Sequence, residues 1–250
     1  MKVLLTGTKG YRPGFIANNF IRLYANKYDI TEYDGDIREW DKAGEYWKRF
    51  DMILHLAAMA GVRRSHEEPE LYWDVNVTAS KRIFESVQPT VSSGFQGVPV
   101  IYASSSSVYE WWLSPYATTK FAMEAIAPKN SLGLRFHTVY GDNSRTDMLY
   151  DKLLKQDVSY LTNHTRDWTH VEDICSAIDI CIQNFAELKP HRAIDVGNGQ
   201  PVSVVDMAKK LWPDNTLPVR EVQGERQDTC ADPTILLEYG WKPKYHILSD

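Results

Sequence analysis

The first fourteen residues constrain this chain more than any other stretch. Lys2-Val3-Leu4-Leu5-Thr6 is a short apolar run, Gly7-Thr8-Lys9-Gly10-Tyr11-Arg12-Pro13-Gly14 follows at once, and an apolar segment of helical period begins at Phe15. Strand, glycine loop and helix in that order are the local signature of a dinucleotide cradle. The glycines permit a tight turn and close approach of backbone to a pyrophosphate, and the helix amino terminus supplies N–H groups and a favourable dipole. Gly7, Gly10 and Gly14 are the candidate contacts. An ordinary glycine-rich loop has the same letters; the flanking strand and helix favour the cradle.

The rest of the chain repeats that alternation. Strands are expected at Lys2–Thr6, Tyr28–Tyr33, Asp51–Leu56, Val98–Ser104, Leu132–Phe136 and Arg192–Val196, each short, apolar at its centre and bounded by turn residues. Helices are expected at Phe15–Ala25, Lys42–Arg49, Pro69–Val87, Pro115–Ala127, Met148–Gln156, Val171–Asn184 and Val204–Trp212. This pattern predicts an α/β fold, a Rossmann-type doubly wound parallel sheet with a small interleaved substrate-binding region. Residues 1–137 and 168–197 form the expected dinucleotide-binding domain, and 138–167 and 198–250 the substrate region, ending in a loop-rich cap from Asn215.

Composition narrows the partners. At 43% hydrophobic residues over 250 positions the chain can build a packed core, and 28 basic against 33 acidic residues give no field to gather nucleic acid or anionic lipid. Three cysteines, Cys175, Cys181 and Cys230, make no disulfide framework, and no ligand spacing predicts a metal. Three apolar residues before Thr6 predict no leader, and the uncharged stretch Ser86 to Tyr109 is broken by Pro89, Gly94, Gly97 and Pro99, which predicts no membrane span. A reducing, cytoplasmic setting is the expectation.

The second strand ends at Tyr33-Asp34-Gly35-Asp36-Ile37, where a Rossmann unit places an acid to bond the ribose hydroxyls of NAD. Asp34 is the first candidate and Asp36 its rival. Arg12 and Arg38 leave open a contact with the extra phosphate of NADP, and NAD is the expected cofactor. Tyr116 and Lys120 lie four apart at the start of a helix, where an ammonium beside a phenol favours phenolate. Alone, this pair is common on surface helices. Upstream, however, the buried-type strand Val100-Ile101-Tyr102-Ala103 runs into Ser104-Ser105-Ser106-Ser107-Val108-Tyr109, putting hydroxyls at the end where open α/β sheets place ligands.

The glycine loop, His55-Leu56-Ala57-Ala58, the serine run with Val108-Tyr109, and Tyr116 with Lys120 together resemble the extended short-chain dehydrogenase/reductases that act on nucleotide sugars, the NAD-dependent epimerase/dehydratase family. The resemblance implies a catalytic Ser105, Tyr116 and Lys120. It implies a cofactor site of Gly7, Gly10, Tyr11, Arg12, Gly14, Asp34, Asp36, Ile37, Leu56, Ala57, Ala58, Asn76 and Ala103 beside Tyr116 and Lys120, and sugar contacts from Ser65, Ser106 and Ser107. Ser106-Ser107 stands where dehydrating members carry Asp-Glu, which leaves epimerisation or reduction. Leu134 to Met148 is similar to UDP-glucuronate 4-epimerases, which implies that Thr138 and Arg145 hold a hexuronate carboxylate. Arg166, in Arg166-Asp167-Trp168, corresponds to the arginine that meets the diphosphate; Arg226 is set against Val222, which occupies the place of another such arginine. The implied activity is NAD-dependent 4-epimerisation of a UDP-sugar by a homodimer. The alternatives are a keto-sugar reductase and a dinucleotide-binding protein without turnover. Two departures stand out: Pro13 replaces the third loop glycine, and only the residues Ser106 to Pro115 separate Ser105 from Tyr116. In that short link Trp111 and Trp112 are candidate aromatic lids, with packing or a subunit contact as the alternative.

Overall fold

The computed structural model describes residues 1–9 and 14–249. In chain order the elements are β1 (Lys2–Thr6), α1 (Phe15–Tyr24), β2 (Asp29–Glu32), β3 (Met52–His55), α2 (Val62–Glu67), α3 (Pro69–Trp73), α4 (Ser80–Ser86), β4 (Val100–Ser105) and α5 (Pro115–Ile126). They continue as β5 (Ser131–Phe136), β6 (Thr138–Tyr140), α6 (Leu149–Leu154), β7 (Leu161–Thr162), β8 (Thr165–His170), α7 (Val171–Gln183), α8 (Phe185–Leu188), β9 (Ala193–Val196), β10 (Pro201–Ser203), α9 (Val204–Leu211), β11 (Val219–Arg220) and α10 (Thr234–Glu238). The chain divides into two compact units, Met1–Arg135 with Cys181–Ile194, and Phe136–Ile180 with Asp195–Asp250.

The principal sheet has the order β2-β1-β3-β4-β5-β9, with β1 parallel to β2 and β3, and β3 parallel to β4. The expected Rossmann-type sheet is therefore present, and its order reverses between β1 and β3, where such sheets open a ligand crevice. Strands covered on both faces must be apolar throughout. Val3, Leu4, Leu5, Ile53 and Leu54 have no exposed surface, whereas edge strand β2, Asp-Ile-Thr-Glu, carries exposed acids at both ends and a half-buried Ile30 and Thr31 between them. Trp40, Trp47, Phe50, Ile83 and Phe84 pack with Leu4, Ile53 and Val100 in one cluster, and Trp40 Nε1 donates to Ser86 Oγ at 2.9 Å.

All six expected strands form. Two helices differ from expectation. In place of Lys42–Arg49 there are two 3-10 stretches, Ile37–Ala43 and Tyr46–Arg49, because Asp36 caps the first early and Gly44, at φ +60°, ends it. Pro69–Val87 forms as α3 and α4 joined by a π-helical turn, Asp74–Ala79.

The second unit contains a sheet that the apolar pattern does not announce. β8 lies between β10 and β6, antiparallel to the first and parallel to the second. Its sequence is polar, Thr-Arg-Asp-Trp-Thr-His, and its centre is nonetheless buried. Asp167 explains this. Its Oδ1 accepts from Asn198 N (2.9 Å) and Thr169 Oγ1 (3.1 Å), and its Oδ2 from Gly199 N (2.8 Å) and Ala231 N (2.9 Å). One buried carboxylate thus ties β8 to two loops, while the next residue, Trp168, packs with Tyr140, Leu161, Met207 and Ile247 in an apolar cluster. Asp173 repeats the device, accepting from Lys244 N and Tyr245 N to fasten the last segment. Among the described residues no helix is long and apolar enough to cross a membrane, and no group of three His, Cys, Asp or Glu side chains is arranged to hold a metal ion.

Candidate active site

The first glycine turn is set by backbone contact. Gly7 has φ +94°, and a Cβ there would lie 2.6 Å from Ala57 N. A Cβ on Gly14 would lie 1.8 Å from Gly7 O, so both positions exclude any side chain. Gly14 is also the N-cap of α1, where no side chain makes a capping hydrogen bond. A helix amino terminus whose cap is a glycine fits the pyrophosphate of a dinucleotide. Gly10, Tyr11 and Arg12 lie outside the described residues.

Beyond β2 the two candidate acids separate. Asp36 caps the 3-10 turn, accepting from Arg38 N at 2.9 Å, and its carboxylate receives Arg38 Nε at 3.0 and 3.1 Å. The Arg38 hydrogen bonds hold the Asp36 carboxyl below the usual carboxylate range. Asp34 is exposed and, among the described residues, pairs with no side chain. Ile37 is buried in the core, while Leu56, Ala57 and Ala58 line the half-buried stretch after β3. There Thr6 Oγ1 accepts from Ala57 N at 3.2 Å and meets His55 Nδ1 at 2.8 Å. Burial pushes the His55 imidazole down to about 3, with help from the Lys120 charge, so the ring is neutral.

Ser105 ends β4, is nearly buried, and caps the 3-10 turn Ser106–Leu113 by accepting from Ser107 N at 3.2 Å. Its Oγ also donates to Ser107 Oγ at 3.2 Å. Ser106 is buried and Ser107 half-buried in that turn. Ser114 then caps α5 and Pro115 occupies its first turn, so the short link delivers the chain directly to Tyr116. The half-buried Tyr116 ring stands edge-on to Tyr72, centroids 6.2 Å apart. One turn later Lys120 is 1% exposed, and its Nζ donates to Ala103 O at 2.7 Å, two residues before Ser105. Burial pushes this ammonium down to about 7, while the Glu124 charge opposes the fall. The structure thus gathers the serine-bearing strand end and the Tyr/Lys helix turn. Trp112, 62% exposed, shares a groove of about 370 Å³ with Trp73, Pro69 and His66.

Other expected contacts have internal work. Asn76 sits in the π-helical turn, accepts from Met59 N at 2.8 Å, and donates to Met59 O and Thr119 Oγ1, both at 3.0 Å. It pins the stretch after β3 to α5. Ser65 is fully buried and donates to Val62 O at 2.6 Å.

In the second unit, Thr138 opens β6 opposite Trp168, and Arg145 donates Nε to Asp147 Oδ1 at 3.2 Å. Arg166 is mostly buried: Nη1 donates to Thr165 O (3.0 Å) and Gln227 O (2.8 Å), Nη2 to His164 Nδ1 (2.7 Å), and Glu225 lies 3.8 Å away. Burial lowers the Arg166 pKa, and the Arg226 charge lowers it further, which puts the two guanidinium groups in each other's field. His164, by sequence an ordinary histidine, is 1% exposed and orients this arginine. Asp167 and His164 are the residues sequence reasoning undervalued. The one available signal was an acid in the middle of a tryptophan-containing stretch, which a fold can bury only with donors around it.

The profile of the NAD dependent epimerase/dehydratase family matches residues 16–197. An uncharacterized protein of Methanocaldococcus jannaschii is 32% identical over 218 residues, spanning 75% of this chain and 64% of that protein. A probable UDP-glucuronate 4-epimerase of Rhizobium meliloti is 26% identical over 270 residues, 87% of this chain and 77% of that one. Among solved structures, MoeE5 in complex with UDP-glucose and NAD superposes with a TM-score of 0.79 at 27% identity, covering 98% of this chain and 94% of that chain. Glycine cradle, strand-end serine, Tyr/Lys turn and these likenesses agree: the chain belongs to the NAD-dependent epimerase/dehydratase family.

Proposed function

We propose that the protein is a nucleotide-sugar 4-epimerase acting on a UDP-hexuronic acid or UDP-hexose through a 4-keto intermediate. The observation that carries the reading is Tyr116 and Lys120 one turn apart on α5, with the Lys120 ammonium held at the Ala103 carbonyl beside Ser105. The Rhizobium relative's name and the UDP-glucose and NAD bound to MoeE5 support the substrate class and cofactor. NAD, when bound, supplies a reversible two-electron acceptor for the sugar. Tyr116 takes the proton of the C4 hydroxyl and later returns it, Lys120 favours the phenolate, and the Ser105 hydroxyl holds the C4 oxygen. The sugar leaves with no net change of oxidation state.

The remaining roles follow from charge. Asp34 bonds the ribose hydroxyls, and Asp36, paired with Arg38, adds a second carboxylate that disfavours a 2′-phosphate there, which supports NAD over the NADPH a reductase would consume. Arg166 with Arg226 meets the diphosphate, and Thr138 with Arg145 the hexuronate carboxylate. Residues 1–137 and 168–197 serve NAD, and 138–167 and 198–250 the nucleotide sugar. The protein pairs as a homodimer through the helices of 69–87 and α5, a reading supported by exposed Trp73 (48%), Phe121 (44%) and Ile126 (38%) and by Trp111 stacked on Phe121 at 5.3 Å. A cytoplasmic setting suits three cysteines that form no disulfide among the described residues. The test is direct: incubate the purified protein with UDP-glucuronate, UDP-galacturonate, UDP-glucose and UDP-N-acetylglucosamine and resolve the epimers by chromatography. Interconversion of one C4 pair without added cofactor is expected. Turnover that consumes NADPH stoichiometrically, or none on any of the four sugars, overturns the reading.

A further inference from the structure

Glu124 lies one turn beyond Lys120 on α5, and its carboxylate is held from two strands. Arg135 on β5 approaches it as a fork, Nε 2.9 Å from Oε1 and Nη2 2.8 Å from Oε2. Ser104 on β4 donates its hydroxyl to the same Oε1. The third arm of the guanidinium, Nη1, donates to Tyr109 Oη at 3.0 Å, and the cation lies 5.0 Å from the centre of that ring. The Glu124 side chain is 13% exposed and that of Arg135 24%, so the pair has given up most of its water. Such a pair stabilises a fold little relative to apolar packing, because desolvation offsets the attraction. Its position is therefore the informative feature.

Ser104 is the residue before Ser105, and Glu124 is one turn after Lys120. Tyr109 belongs to the 3-10 turn that Ser105 caps. The single carboxylate thus joins the serine-bearing strand end, the Tyr/Lys helix and, through Arg135, the turn between them. No ion pair joins Glu124 to Lys120, whose ammonium bonds to the neutral Ala103 carbonyl. Glu124 acts on the lysine through space and on Ser105 through the strand.

We propose that Glu124, clamped by Arg135 and Ser104, is the positioning residue of the active site, fixing the Ser105 end of β4 against the Tyr116–Lys120 turn of α5. This rests on the catalytic reading of that turn given above. A group that only stiffened the fold would change melting temperature and leave turnover per folded molecule intact. A positioning group lowers kcat while KM stays, since the substrate is bound by other residues.

The experiment compares full-length Glu124→Gln, Ser104→Ala and Tyr116→Phe with the parent protein, measuring kcat and KM on whichever of the four UDP-sugars above the parent epimerises, NAD affinity by fluorescence, and thermal stability. Glu124→Gln is expected to lower kcat about tenfold or more, and Ser104→Ala several-fold, with KM and NAD affinity within about twofold. Ser104→Ala removes only one hydroxyl and keeps the test open if Glu124→Gln does not fold. Parental kcat in Ser104→Ala together with parental kcat or loss of folding in Glu124→Gln overturns the proposal. If Tyr116→Phe also turns over at the parental rate, the catalytic reading falls with it; if Tyr116→Phe is inactive, only the role of Glu124 falls.

Discussion

A region in each unit solves the same problem, holding polar groups where a ligand can meet them, with different materials. The glycine region of the first uses backbone: glycines at 7 and 14 in contact, strand ends of β1 and β3 brought together, and a glycine at the cap of α1. The second uses charge buried against charge and dipole: Asp167 under four donors, and Arg166 between two carbonyls, an imidazole and Glu225. The contrast teaches that a site made of backbone tolerates few residue types but needs little energetic support, whereas one made of buried side chains depends on every partner being present.

The comparison is broken most easily at its largest expected effect. Tyr116→Phe removes one oxygen from the first unit and should lower turnover by about 10³-fold, the scale of general acid–base catalysis, with NAD affinity and melting temperature unchanged. Turnover within tenfold of the parent would show that the Tyr/Lys turn is architecture only.

In the second unit the equivalent cut is structural. Asp167→Ala leaves the N–H groups of Gly199 and Ala231 and the Thr169 hydroxyl without this acceptor, and leaves Asn198 N only its longer hydrogen bond to Thr169 Oγ1. Unfolding in urea should show a loss of about 2–5 kcal/mol, since each buried donor left without an acceptor costs about 1–3 kcal/mol and relaxation recovers part of the sum. A loss under about 1 kcal/mol would mean that water or neighbouring groups replace the carboxylate and that the network is not what holds β8.

These two cuts also explain what could be read from the letters. The six strands of the principal sheet were legible because burial on both faces forces apolar runs such as Val3-Leu4-Leu5. That hydroxyls would end β4 and that Tyr116 and Lys120 would share one turn of α5 was legible from the strand end and the helix spacing, whereas the choice of Ser105 among the four serines came only from the family resemblance. β8 was not, since Arg166, Asp167 and Thr169 make it read as a loop until their partners, 29 to 64 residues away, are known. The π-helical turn was hidden for a related reason: nothing local marks Asn76 as the clip between Met59 and Thr119. Periodicity reports which face is apolar, and it is silent on buried polar groups whose partners lie far along the chain.

A gentler cut separates positioning from packing within the second unit. His164 accepts from Arg166 Nη2 and must be neutral at Nδ1 to do so. His164→Leu should raise the dissociation constant for UDP, read by calorimetry, about tenfold, and His164→Gln, which keeps an acceptor, should stay within about threefold. Equal losses in the two variants would assign His164 to packing. Arg166→Ala is the reference, and if it binds UDP as the parent does, the diphosphate role of that arginine is excluded.

The smallest expected effect returns to the first unit and to its exposed ion pair. Asp36 and Arg38 are 41% and 44% exposed, where an ion pair contributes between 0 and about 1 kcal/mol. Asp36→Asn keeps a capping oxygen for the 3-10 turn and loses the charge. Because Arg38 lowers the Asp36 pKa in the folded protein, the pair's contribution is present above the ordinary aspartate range and is lost as pH falls through the lowered value. The parent should therefore exceed Asp36→Asn slightly in stability at pH 7, the difference shrinking towards pH 3 and in high salt. A gap that persists in acid and in salt would show that something other than the Asp36 charge separates the two proteins, and the contrast between an exposed carboxylate the fold hardly needs and the buried Asp167 it depends on would lose its control.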